Sequence, residues 1–230
     1  MIKRFIALAL VVAVGSVFAT LLFGYTPDAD LNLTARYYAE RTAADLGAAN
    51  IVTAIVVTYR GLDTLGEVTV LFLSASIVGL VLAKGTHAPH RTPVPVGELL
   101  TTGTRFLVPL ILLLGVYVFV NGHLTPGGGF QGGAIIASGI LLLLLADPLK
   151  HFSHSLISAI ESLAGIFYVM IGLAGLFLAG GFLDNRILPL GTLGNLASAG
   201  AIPLIYSLIG LKVGAEFASI LAALSETEEL

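Results

Sequence analysis

The chain has 230 residues, 57% of them hydrophobic and only 11% charged, against about 25% charged in ordinary soluble domains. With a mean hydropathy of +0.98, that balance excludes a soluble globule, whose surface-to-volume ratio forces charge outward. A net charge of −3 offers no basic face for nucleic acid, and the absence of cysteine excludes thiol catalysis, disulfides and cysteine-ligated iron–sulfur clusters.

The composition predicts an all-α, polytopic membrane protein. A bilayer span needs about 20 predominantly apolar residues. In chain order the apolar runs are Phe5–Gly24, Leu46–Tyr59, Leu65–Ala83, Phe106–Val120, Gly133–Ala146, Ile157–Phe182 and Leu196–Leu211, about seven helices in all. The first follows Lys3 and Arg4, as a signal peptide would, but its length suits a retained helix. The second and fifth are short and need flanking residues or neighbours. The last keeps helical spacing towards Leu224.

Between the third and fourth runs lies "KGTHAPHRTPVPVGELLTTGT", with Pro89, Pro93 and Pro95. Proline removes a backbone donor and fixes φ, so this segment does not span. It divides the chain into a three-helix module (1–84), a Pro-rich linker (85–104) and a four-helix module (105–230). Arg36, Arg41, Lys84, Arg91, Arg105, Lys150 and Lys212 fall on one side of the predicted membrane, and Lys3, Arg4, Arg60 and Arg186 on the other. The richer side is cytoplasmic by the positive-inside rule, which puts the C-terminus inside and the fourth–fifth connection outside. Lys3 and Arg4 pull the opposite way.

That connection reads "NGHLTPGGGFQGGAI", Asn121 to Ile135. Its Gly127, Gly129 and Gly132 formally match GxGxxG, but a nucleotide fingerprint requires a preceding strand in a soluble βαβ unit. Two roles fit better. Glycines allow a tight turn whose free N–H groups, at Gly132, Gly133 and Ala134, open the fifth helix as a positive end; or they simply let elements pack closely.

Charges in or beside the apolar runs are functional candidates by default, because each costs several kcal/mol unless paired or hydrated. They are Asp63 and Glu67, four apart beside Arg60; Glu161 at the start of the sixth run; and Lys212 with Glu216, four apart in the seventh. Capping offers an alternative, since Thr64-x-x-Glu67 and Ser158-x-x-Glu161 both match a capping box. His87-x-x-His90 and His151-x-x-His154 lack a third ligand of convincing spacing. No catalytic cluster and no cofactor motif is visible.

"RFLVPLILLLGVYVFVNGHLTPGGGFQGGAI" closely resembles the B-subunit family of Mrp-type multisubunit Na⁺/H⁺ antiporters, and the likeness runs on through "GLKVGAE". The signature residues are Pro126, Gly127, Gly128, Gly129, Phe130 and Gln131, followed by Gly132 and Gly133. "GAANIVTAIVVTYRGLDTLGEVTVLFL" resembles the C-terminal part of the large antiporter A-type polypeptide and the small E-type component of membrane-bound hydrogenases. Asp63, Thr64, Gly66 and Glu67 carry its acidic motif. The resemblance implies a non-catalytic, cofactor-free component of the cell membrane. Its partners would be other membrane subunits and lipid, with Na⁺ and H⁺ as transported ions. The departure is that the A-type tail is joined here to the B-type module. A membrane-arm component of a hydrogenase or related oxidoreductase, and a purely structural scaffold, are the alternatives.

Overall fold

The computed structural model describes residues 2–25, 30–83, 96–147 and 152–229, which fall into two compact units, Met1–Tyr37 and Tyr38–Leu230. The His87–His90 pair, most of the Pro-rich linker and His151 lie outside the described residues.

In the first unit, α1 (Ile2–Gly24) is apolar on every side and buries no residue. A helix without a polar face is built for lipid or for a neighbouring subunit. Its two hydroxyls are satisfied internally, Ser16 donating to the Ala13 carbonyl and Thr20 to that of Val17, each at 2.8 Å.

The second predicted span proves to be broken. α2 (Leu33–Leu46) takes in Arg36, Glu40, Arg41 and Asp45, a segment expected to be a loop. It stops at Gly47, whose φ of +67° is the left-handed conformation that ends helices at little steric cost to glycine. The chain restarts at α3 (Ile51–Ala54), capped by Asn50, and winds on as a π-helical turn over Ile55–Tyr59. Together α2 and this second piece bend by 82°. Arg60 breaks the winding, and α4 (Gly61–Ala83) follows.

The remaining spans are α5 (Glu98–Val120), α6 (Gly129–Ala146), α7 (His154–Leu178) and α8 (Ile202–Glu229). Six helices are long and apolar enough to cross a membrane, and the bent pair makes up to seven. This is a multi-pass membrane protein. α5 starts inside the segment read as linker, Pro109 being accommodated within it. α6 starts four residues before Gly133, and Leu196–Ala201 lies outside α8.

α8 is the hub, packed against α4, α5, α6 and α7. Ile202, Ile205, Ile209 and Val213 form its buried stripe, joined by Val57, Val68, Tyr168 and Leu183. Without a hydrophobic driving force between helices in lipid, association relies on close packing at small residues. Gly115 of α5 and Gly132 of α6 provide it: a Cβ on Gly132 would stand 2.6 Å from the Gly115 carbonyl oxygen. The α7–α8 connection folds back beneath the bundle end. There the Asn185 amide donates to the Leu46 carbonyl at 2.9 Å and the Ala199 carbonyl at 2.8 Å.

Candidate ion-handling sites

Three places gather the sequence-predicted residues. The first is the start of α4. Arg60 pairs with Asp63 at 2.5 Å, both side chains more than half exposed. Glu67 is exposed one turn further on, and Arg60 does not bridge to it as the spacing had suggested. The capping box fails as well. Thr64 lies inside the helix, and its hydroxyl donates to the Val56 carbonyl at 2.5 Å, tying α4 to the π-helical turn. Glu67 therefore caps nothing and stands on the outer face of a spanning helix.

The second is the glycine turn. Gly127 and Gly128 have φ of +156° and +157°, which L side chains rarely adopt. The helix opens at Gly129, and the Gly132 N–H already bonds to the Gly128 carbonyl at 3.0 Å. Gly132, Gly133 and Ala134 thus do not form its free end; the donors of Gly129, Phe130 and Gln131 do. Gly128 and Gly129 are hemmed in by Tyr206 and Ile209 of α8, and Gly133 by the Gly210 carbonyl. The signature is where α6 docks on α8, and close packing is its visible work.

Beside this turn His123 is wholly buried, and neither ring nitrogen has a hydrogen-bond partner. Burial lowers its pKa, outweighing the backbone groups of Asn195, Leu196 and Val120, which raise it. Its carbonyl accepts the N–H groups of Ala49 and Asn50 at 3.1 and 3.0 Å. On the α7–α8 connection, Asp184 is held at a pKa of about 2, chiefly by its hydrogen bonds to the Arg186 side chain.

The third place is inside the bundle. Lys212 and Glu216 pair at 2.8 Å along α8, and the same ammonium lies 3.9 Å from Glu161 on α7. Side-chain exposures are 11% for Lys212, 16% for Glu161 and 0% for Glu216. The ammonium also sits 4.8 Å from the ring centre of Phe72 on α4, a cation–π distance. Its stem passes Gly165 of α7, where a Cβ would touch it at 3.6 Å. Ser158 does not cap α7. Ser153 does, accepting from the Leu156 N–H at 3.3 Å, so Glu161 too lies within a helix.

Sequence reasoning missed Phe72 and Gly165, which carry no charge and signal nothing alone. It also missed Asn50 and Thr53, although an Asn ahead of an apolar run is a helix-start signal. Among the described residues no group of three or more His, Cys, Asp or Glu could hold a metal ion.

With this geometry in place, the comparisons with known proteins bear on family. Residues 99–219, α5 to most of α8, match the family described as a domain related to the MnhB subunit of Na⁺/H⁺ antiporter. The chain belongs to that MnhB-related family. Residues 2–94 match a second family, MbhE of the MBH complex. The fold is similar to a chain of the membrane-bound sulfane sulfur reductase, an archaeal respiratory membrane complex, with a TM-score of 0.83 and 42% identity over 97% of this chain and 98% of that one. It is also similar to a chain of the Mrp complex from Dietzia sp. DQ12-45-1b, with a TM-score of 0.78 and 29% identity over 97% of this chain but 26% of that one. The B-type Na⁺/H⁺ antiporter subunit of Bacillus subtilis is 42% identical over 81 residues, 35% of this chain and 51% of that protein. The chain thus spans about half of that curated relative. Both structural likenesses cover 97% of this chain, so the joining of the two modules has counterparts in known complexes.

Proposed function

We propose that this chain is a non-catalytic membrane component of a multisubunit complex that exchanges a monovalent cation, Na⁺ in the first instance, for protons. The observation that carries this reading is Glu67: an exposed carboxylate on a spanning helix that no capping role or internal ion pair accounts for. Such a group is costly in lipid. It makes sense beside a hydrated ion path or a partner subunit, with the Arg60–Asp63 pair at its mouth. Membership of the MnhB-related family supports the reading. The division into a 1–84 module, a linker and a 105–230 module follows the two family matches, with the second module's helix starting at Glu98. We place the C-terminus in the cytoplasm on the Lys/Arg bias.

The test is ΔpH-driven cation exchange in vesicles, with complex content followed on native gels. Glu67→Gln is expected to leave the complex assembled and to lower exchange sharply, and Glu67→Asp to retain part of it. Unchanged exchange in an assembled Glu67→Gln complex would overturn the role of this carboxylate and favour a scaffold.

One observation favours a second host. The chain matches 98% of its counterpart in the respiratory reductase, but 26% of the Dietzia chain. A chain of this make-up fits a redox-linked complex in which the exchange module is driven by electron transfer. Purifying the chain with its native partners separates the hosts: iron–sulfur proteins in the complex place it in the redox class, and their absence places it in a free-standing antiporter.

A further inference from the structure

Glu161, Lys212 and Glu216 do not balance in charge. Two carboxyls share one ammonium, and all three side chains are largely or wholly enclosed. Beyond the Lys212 ammonium, no hydrogen-bond donor reaches either oxygen of Glu216. One ammonium neutralises one carboxylate, and a second bare carboxylate within the membrane costs several kcal/mol. The surplus needs either a metal cation or a proton.

The surroundings choose between these. Hard cations gather about six or more oxygens. Here the neighbours are the Phe72 ring and the bare backbone of Gly165. The adjoining cavity of about 130 Å³ is lined by apolar residues, Ile160, Leu211 and Ala215 among them. Other charges on the elements packed against α8 are Asp63 and Glu67 at the start of α4 and Glu98 and Arg105 at the start of α5, and α6 has none. Of the titratable tyrosines nearby, Tyr168 of α7 donates to the Gly61 carbonyl at 3.4 Å and Tyr206 of α8 lies against the glycine turn. A site with two carboxyls and few other oxygens suits a proton.

We propose that Glu161, Lys212 and Glu216 form a proton-holding site that keeps one exchangeable proton inside the membrane, with Lys212 deciding which glutamate bears it. With the ammonium on Glu216 at 2.8 Å, as here, Glu161 is the protonated carboxyl. When the ammonium moves to Glu161, 3.9 Å away, Glu216 takes up the proton. Each uptake is a single protonation of a carboxylate, and the ammonium keeps its charge throughout. Glu161 is the more exposed of the two, so the step carries a proton from a reachable group to an enclosed one. The open backbone of Gly165 leaves the lysine stem room to swing. This inference rests on the proposed exchange role only for what the proton is used for.

The test is covalent labelling of the purified, assembled complex with dicyclohexylcarbodiimide, which reacts with protonated carboxyls in apolar surroundings, followed by peptide mapping. Ordinary glutamates ionise near pH 4.3, so adducts at about pH 8 report a proton held against its usual tendency. The parent complex is expected to label at Glu161 or Glu216 at about pH 8. Glu161→Gln restores one charge of each sign, and the Glu216 adduct is expected to fall on the order of tenfold. Lys212→Met leaves two carboxyls and no ammonium, and labelling is expected to rise on both. A parent complex with neither glutamate labelled at about pH 6 or 8 overturns the proposal, whether or not the variants assemble. An assembled Glu161→Gln complex labelled at Glu216 as strongly as the parent overturns it too. A labelled triad in a complex that exchanges no cation would overturn only the transport reading.

Discussion

Asn50 holds the carbonyl of Gly122. Its side-chain amide donates to Gly122 and to Thr125, both at 2.9 Å, and the Thr53 hydroxyl donates to the same Gly122 oxygen at 2.5 Å. The restart of the broken span and the approach to the glycine signature are thus one hydrogen-bonded unit, although they are some 70 residues apart in sequence.

Asn50→Ala removes the α3 cap and both amide bonds, leaving the Thr125 carbonyl without this donor. The expected loss is about 1–3 kcal/mol of stability, read as a lower melting temperature of the detergent-solubilised complex. Thr53→Val should cost less, because Asn50 still serves Gly122. Melting curves for Asn50→Ala that overlay the parent's would show that this junction does not stabilise the fold.

Gly132 and Gly103 are both helical glycines, and alanine favours helix over glycine by about 1 kcal/mol at either. Space separates them. A Cβ at Gly132 meets the Gly115 carbonyl at 2.6 Å and the Phe119 side chain at 2.9 Å, while Gly103 has nothing within 4 Å. Gly132→Ala is expected to reduce assembled complex on native gels, and Gly103→Ala to leave it unchanged or improved. Equal assembly of the two variants would remove the close-packing account of α5 on α6.

The pH dependence of stability should carry two signatures. His123 has a lowered pKa because burial opposes its charge. The unfolded chain therefore binds this proton more readily, and the contribution is present above about pH 6.5 and is lost as pH falls below it. Asp184, at about 2 in the fold, contributes about 2 kcal/mol above its ordinary carboxylate range, lost as pH falls from about 4 towards 2. His123→Gln should flatten the first slope and Asp184→Asn the second, in melting temperatures recorded across pH. A first slope that persists in His123→Gln would assign it to another group.

The chain has no cysteine, so Ser225→Cys reports orientation cleanly. A cytoplasmic C-terminus predicts no labelling by an impermeant maleimide in intact cells and full labelling after permeabilisation. Labelling in intact cells would reverse the topology. The positive-inside reading treats Arg36 and Arg41 as loop residues, and they lie in α2, which makes this measurement decisive for orientation.

The sequence by itself determined the membrane class, six of the spans to within a few residues, the glycine signature and the positions of the intramembrane charges. These are local properties: an apolar run long enough to span is costly to expose to water wherever it later packs, and a buried charge is costly in any helix. It misread the stretch around Leu46–Tyr59, because hydropathy alone does not register that Gly47 ends one helix and Asn50 starts another. It also left Glu67 and Glu161 open between capping and function. Only the tertiary structure placed Ser153 as the true cap of α7, drew Thr64 into the π-helical turn and showed both glutamates inside helices. Only packing set the rotation of α7 about α8 that brings Glu161 to Lys212 across two helices, and the close approach of α6 that gives Gly132 and Gly133 their neighbours. Spacing along a chain fixes which face of its own helix a residue occupies. Which partner that face meets depends on how small residues, carbonyls and side chains from distant segments fit together.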